Sequence, residues 1–130
     1  EEVARLRLQG AFHFTGFLEA RERDELYAMS DVFVMPSVSE PFGITPLEAM
    51  KYGVPVIISR QSGVAEILPH AIKVDFWNVD ELASAITELL TKPRKAKNLV
   101  KQGTEALKTI GGDFVAEKLV GLYRTLLGQK

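Results

Sequence analysis

Two carboxylates and a glycine lie close together near the middle of the chain. Glu40 and Glu48 have seven residues between them, and Gly43 falls in that interval. Glycine has no side chain, so a ligand can approach its backbone closely. Just beyond it, Thr45-Pro46-Leu47-Glu48 reads as a helix start. Helix starts carry free N–H groups and partial positive charge, which favour a phosphate. Glu40 belongs to the loop before this helix and Glu48 to its first turn, so the two carboxylates flank whatever sits on the helix start. A sugar nucleotide fits that layout, with its diphosphate on the N–H groups, one carboxylate on the ribose and the other near the sugar. A plainer reading of the same residues stands beside it. T-x-x-E is also a capping box, in which Thr45 caps and Glu48 reaches back to it, and Glu40 alone reads as a solvated loop charge.

The flanking sequence places this loop at a strand end. The apolar run Val32-Phe33-Val34-Met35 stops at Pro36-Ser37, a polar loop follows, and a helix is expected over 46–52. Gly53 ends it and Val56-Ile57-Ile58 begins a second apolar run. Strand, loop, helix and strand in that order form the unit of a parallel sheet, whose ligands bind beyond the carboxyl ends of the strands. Four consecutive apolar residues in the first run suit a strand buried on both faces. Further strands are expected over 12–15, ahead of Gly16, and over 71–74. Helices are expected over 1–9, closed by Gly10, and over 21–29 with Leu26 and Met29 facing inward. Others are expected over 63–68 with Ser62 as a cap, from Asn78 or Asp80 to Leu90, and from Pro93-Arg94 to about Ile110. The last runs over 114–127, after a break at Gly111-Gly112 and a cap at Asp113. Strands alternating with helices predict a three-layer α/β domain with a parallel sheet.

The 130 residues suit one domain that buries about two-thirds of its unfolded surface. A formal net charge of −1 gives no global attraction to nucleic acid or an anionic membrane. Without cysteine there are no disulfides or thiolate metal sites. No apolar run approaches the ~20 residues of a membrane span, and no leader is visible. Neither His13 nor His70 has a partner at metal-ligand spacing, so no metal and no cofactor is expected. Lys92, Arg94, Lys95, Lys97 and Lys101 read as a solvated helix face. Phe76-Trp77 reads as a pair packing a loop onto the core. The last helix carries more apolar residues than one buried stripe needs.

The string from Glu40 to Met50, EPFGITPLEAM, resembles the signature of retaining glycosyltransferases of the GT-B fold. This is the family 4 type group that includes glycogen and sucrose synthases. The preceding DVFVMPS, the following G-V-P-V and the Gly63-Val64-Ala65-Glu66 stretch resemble the family's flanking motifs, as does Phe14-Thr15-Gly16-Phe17. The resemblance implies a Rossmann-like domain that binds a nucleotide-sugar donor, a UDP-, ADP- or GDP-hexose. It implies that Phe17 and Leu18 lie against the base, and that backbone N–H groups around Phe42, Gly43, Ile44 and Thr45 hold the diphosphate. Glu48 would hydrogen-bond the ribose hydroxyls and Glu40 would face the transferred sugar as the catalytic carboxylate.

The family pattern also sets expectations about what surrounds residues 1–130. Two strand–helix units that open the family's second domain, with a G-R turn and a Lys that neutralise the diphosphate, have no match here, and neither does an acceptor-binding N-terminal domain. The chain is therefore expected to be a partial C-terminal donor-binding domain that lacks turnover by itself. It is also expected to self-associate, and to belong to a cytoplasmic enzyme that can sit at the inner membrane face. The family's sheet order, three-two-one-four-five-six, would leave a gap beside strand 12–15. That strand would then pair directly with 31–36, or another chain would fill the gap, or the edge would stay exposed. The competing reading is a non-catalytic nucleotide-binding or interaction module on the same scaffold.

Overall fold

Three short parallel strands carry the fold: β1 (Phe33–Met35), β2 (Val56–Ser59) and β3 (Ile72–Val74), side by side in that order. The structure, a computed structural model, describes residues 1–110 and 112–128, without the side chains of 112–114. The described residues form seven α-helices, α1 (Glu2–Arg5), α2 (Ala20–Ala28), α3 (Thr45–Lys51), α4 (Val64–Ile67), α5 (Val79–Thr91), α6 (Pro93–Ile110) and α7 (Gly112–Leu126), and a 3-10 turn at Gln9–Ala11. The expected break falls partly on Gly111, which lies outside the described residues, but Gly112 and Asp113 are already in α7, so that helix begins ahead of the cap expected at Asp113.

The layering follows from strand alternation. Successive side chains of a strand point to opposite faces, and β2 is buried along its whole length. Its Val56 and Ile58 join Met35, Ala49, Met50 and Val64 in a core beneath α2, α3 and α4. Its Ile57 joins Val74, Ala85 and Leu89 beneath α5 on the other face. Helix α6 serves both sides, with Ala96 and Leu99 on the α5 core and Leu107 and Ile110 on the α3 core. Where it crosses α3 it has no side chain: a Cβ on Gly103 would come within 2.1 Å of Met50 Cε. Asn78 caps α5, its side chain accepting from the Glu81 N–H at 3.1 Å.

Several expectations fail here for physical reasons. Residues 12–15 form no strand. Phe14 is 81% exposed and stacks only on Phe12, with ring centroids 6.4 Å apart. Among the described residues no strand pairs with the outer edge of β1, and an extended segment without a hydrogen-bonding neighbour has nothing to hold it as a strand. Direct pairing of 12–15 with 31–36 is thereby excluded. The apolar run of β1 packs on both faces, Phe33 and Met35 on the α3 side and Val32 and Val34 on the α5 side, but as an edge strand it buries only Met35 fully.

On α2 the inward residue is Tyr27, 7% exposed, while Met29 is 76% exposed and Leu26 also faces outward. The face of α2 that meets α3 runs through Arg23 and Tyr27, which are four apart and therefore stacked on one side. The cap expected at Ser62 is absent. Gly63 stands at the N-cap of α4, and the Ser62 hydroxyl turns back to the Ser59 carbonyl at 2.8 Å. Trp77 does not pack onto the core; it stands largely exposed, edge-on to the half-buried Phe76.

Local stability should follow this asymmetry. Amides of residues 1–15 should exchange with solvent faster than those of Phe33–Met35, and equal protection by hydrogen exchange would contradict that. The unpaired β1 edge and the exposed apolar face of α7, with Leu119, Leu122 and Tyr123, should drive self-association as concentration rises. Light scattering that reports a monomer across a wide concentration range would count against it.

Candidate functional site

The loop between β1 and α3 is held from three directions. The Ser59 hydroxyl, at the end of β2, donates to the Ser37 carbonyl at 2.7 Å. Further along, the loop pairs in parallel with the β2–α4 turn at Glu40 and Ser62. The Gly63 N–H donates to the Glu40 carbonyl at 2.9 Å and the Val64 N–H to the Phe42 carbonyl at 2.7 Å. This short ladder extends the sheet past its carboxyl edge. From the third direction, Gly43 lies against Glu40 and the end of β1. It has φ +87°, a backbone angle that favours glycine, and a Cβ there would come 2.9 Å from the flexible end of Met35 and 3.0 Å from Glu40 Cγ. Across the edge a side-chain bond joins the same turn to the residue after β3, Gln61 Nε2 donating to Asp75 Oδ1 at 3.0 Å.

Helix α3 starts differently from a capping box. Ile44 is its N-cap, Thr45 and Pro46 are its first residues, and no side chain caps it. The Thr45 hydroxyl faces Met35 Sδ at 3.5 Å instead. Among the described residues, nothing accepts from the N–H groups of Gly43, Ile44 or Thr45.

Glu48 is left free of the helix start and turns to α2. Tyr27 Oη donates to Glu48 Oε2 at 3.4 Å, and Arg23 Nη1 lies 3.6 Å from Glu48 Oε1. The structural reading of Glu48 as a capping residue therefore fails. Burial, and next the Glu48 charge, hold the Tyr27 phenol above its usual range. Asp24 and Tyr52 complete the cluster. The Tyr52 hydroxyl bonds to Asp24 and lowers its carboxyl, while the same bond raises the Tyr52 phenol.

Of the residues expected from sequence, Glu40, Phe42, Gly43, Ile44, Thr45 and Glu48 lie on this one loop and helix start. Phe42 and Ile44 are exposed and Gly43 is buried. Phe17, 89% exposed, and the half-buried Leu18 precede α2. Among the described residues no hydrogen bond, ion pair or ring contact links them to residues 37–45. Sequence reasoning missed Arg23 and Tyr27. Their four-residue spacing on α2 was visible, but nothing in the sequence tied it to a glutamate 21 residues away. The basic stretch behaves as a solvated face: Lys92 and Lys95 pair with Glu88 at 2.9 and 2.6 Å. Lys95 first and Lys92 next pull the Glu88 carboxyl below its usual range. Among the described residues no group of three His, Cys, Asp or Glu is gathered that could hold a metal ion.

Close approach at Gly63 makes a sharp prediction. A Cβ there would stand 2.0 Å from the Pro41 carbonyl oxygen, a backbone atom that cannot swing away. Gly63→Ala should lower stability by about 1–3 kcal/mol, the usual range for overpacking. Gly103→Ala meets only the flexible end of Met50, and it gains helix propensity of roughly 1 kcal/mol. It should be the milder change. Thermal melts of both variants check the order.

Comparison with known proteins adds the family. A model of the family described as "Glycosyl transferases group 1" matches residues 1–106. The uncharacterized glycosyltransferase MJ1607 of Methanocaldococcus jannaschii is 33% identical over 85% of this chain and 30% of its own length. Spore coat protein SA of Bacillus subtilis is 35% identical over 85% of this chain and 31% of its own. The chain thus spans about a third of the length of the curated relatives it matches. A sucrose-phosphate synthase from Thermosynechococcus elongatus superposes on 98% of this chain and 33% of its own, with a TM-score of 0.83 and 30% identity. The C-terminal domain of a Francisella tularensis group 1 family protein shares the fold over 83% of this chain and 57% of its own, with a TM-score of 0.75 and 23% identity. The chain carries the Rossmann-like architecture of a GT-B C-terminal domain, and it belongs to the group 1 glycosyl transferases.

Proposed function

We propose that this domain binds the nucleotide-sugar donor of a retaining hexosyltransferase, with the acceptor held by another domain of the intact enzyme. The observation that carries the proposal is that Glu48 does not cap α3. It sits in the first turn of that helix, and its carboxylate, flanked by Arg23 and Tyr27, keeps lone pairs for the ribose hydroxyls. In this reading the unpaired N–H groups of Gly43, Ile44 and Thr45 receive the diphosphate, beside Phe42. Phe17 and Leu18 line the base, and Glu40 faces the anomeric carbon. An Anabaena protein, Alr3699/HepE, crystallised in complex with UDP-glucose supports the donor class. It is 25% identical over 92% of this chain and 35% of its own, with a TM-score of 0.78. A cytoplasmic setting belongs to the same proposal; among the described residues no helix is long and apolar enough to cross a membrane.

The two glutamates have separable duties. A carboxylate on the ribose acts equally in the ground and transition states, so it governs binding. A carboxylate near the anomeric carbon gains value as positive charge develops there, so it governs turnover. Glu48→Gln should weaken nucleotide binding by one to two decades, corresponding to loss of a charge-assisted bond of about 1.5–3 kcal/mol. Isothermal titration with UDP, ADP and GDP measures it, with a thermal melt as the control for folding. Unchanged affinity in a folded variant would remove the ribose role. Where an acceptor domain is present, Glu40→Gln should cut turnover about a hundredfold or more and leave donor affinity nearly unchanged. Equal turnover would remove its catalytic role and favour a binding module.

A further inference from the structure

We infer that Arg23 of α2, assisted by Tyr27, is a positioning residue that fixes the Glu48 carboxylate for recognition of a ribose diol. The inference rests on the donor-binding role proposed for Glu48. Three observations carry it. First, both Glu48 oxygens are engaged from α2, Oε1 by the Arg23 guanidinium at 3.6 Å and Oε2 by the Tyr27 hydroxyl at 3.4 Å. Neither partner comes from the helix that carries Glu48. Both contacts are also long, so each oxygen keeps lone-pair capacity for a further donor such as a sugar hydroxyl.

Second, Arg23 Nε is buried without a hydrogen-bond partner, and it is the only such side-chain nitrogen or oxygen among the described residues. Leaving a buried donor unpaired is costly, and a guanidinium placed for stability alone would be expected to satisfy it. Here the fork is turned so that its Nη atoms meet Glu48 and Asp24 while Nε goes unmet.

Third, the other side of the pair is braced. Tyr27 is buried among Phe33 and Tyr52, edge-on to the first and stacked on the second, at 5.8 and 6.1 Å between centroids. The hydroxyl that reaches Glu48 is thus set by ring packing. A carboxylate fixed at both oxygens loses little rotamer freedom when a diol arrives, which is how preorganisation raises affinity.

Discrimination of the ribose hydroxyls tests the role. The 130-residue chain is titrated with UDP, ADP and GDP, and then with the 2′,3′-dideoxy counterpart of the tightest binder. The ratio of the two affinities reports the diol alone. Arg23→Gln should reduce ribonucleotide affinity about fivefold, the scale of a partly exposed ion pair, and move the ratio toward one. Arg23→Lys should recover part of it, and Tyr27→Phe, which keeps the ring packing, should lower the ratio without a large change in melting temperature. In a Glu48→Gln background neither α2 substitution should have further effect. A loss that persists in that background would mean a general attraction to the diphosphate and would overturn the inference. A lowered melting temperature with an unchanged ratio would mean a structural role and would do the same. If Glu48→Gln lowers affinity while the α2 variants keep the wild-type ratio, the positioning role fails and the donor reading stands. If Glu48→Gln changes nothing, or the unmodified chain binds none of the three nucleotides, both fail.

Discussion

Backbone contact between the two loops that leave β1 and β2 is the constraint on which the site depends. Glu40 and Phe42 each give a carbonyl to the α4 start, and Gly63 has no side chain because the Pro41 carbonyl occupies that space. The two loops stay laced for several residues beyond the last strand pair. The glutamate loop is thereby tied to the end of the central strand on both sides of Pro41.

Glu48 is positioned by different means. Its backbone belongs to α3, but its side chain belongs to α2 through Arg23 and Tyr27. The two glutamates that lie close in sequence are thus governed by separate parts of the structure, one by main-chain pairing and the other by a side-chain cluster. That division allows one carboxylate to be tuned by substitution in α2 without disturbing the other.

How far the sequence foretold this depends on the range of the interactions involved. The strands at 56–59 and 72–74, the helices that start near Asn78 and at Pro93, and the glycine at 43 rest on local patterns, and they form within a residue or two of where the sequence places them. The strand expected over 12–15 has a local pattern too, but a strand exists only with a neighbour, and alternation in four residues says nothing about whether one is there. Apolar character alone points Leu26 and Met29 inward. Tyr27 took that place because the surface facing it is polar at Glu48 and aromatic at Phe33 and Tyr52, all distant in sequence. The T-x-x-E string misled in a similar way. Its residues suit a cap, and only the third dimension offers Glu48 a better partner. The glutamate loop itself was legible because its spacing and its glycine are local facts.

Helix α6 has a bearing on how the molecule comes apart. Its first turns pack on the core under α5 and its last turns on the core under α3, with the helix pressed against Met50 at Gly103 on the way. Two hydrophobic layers that a sheet would otherwise keep separate are strapped together by one rod. Neither layer can melt without releasing half of that rod and stripping cover from the other. The domain should therefore lose its structure in a single step, and a ligand bound at the far end of the sheet would raise the melting of both layers together.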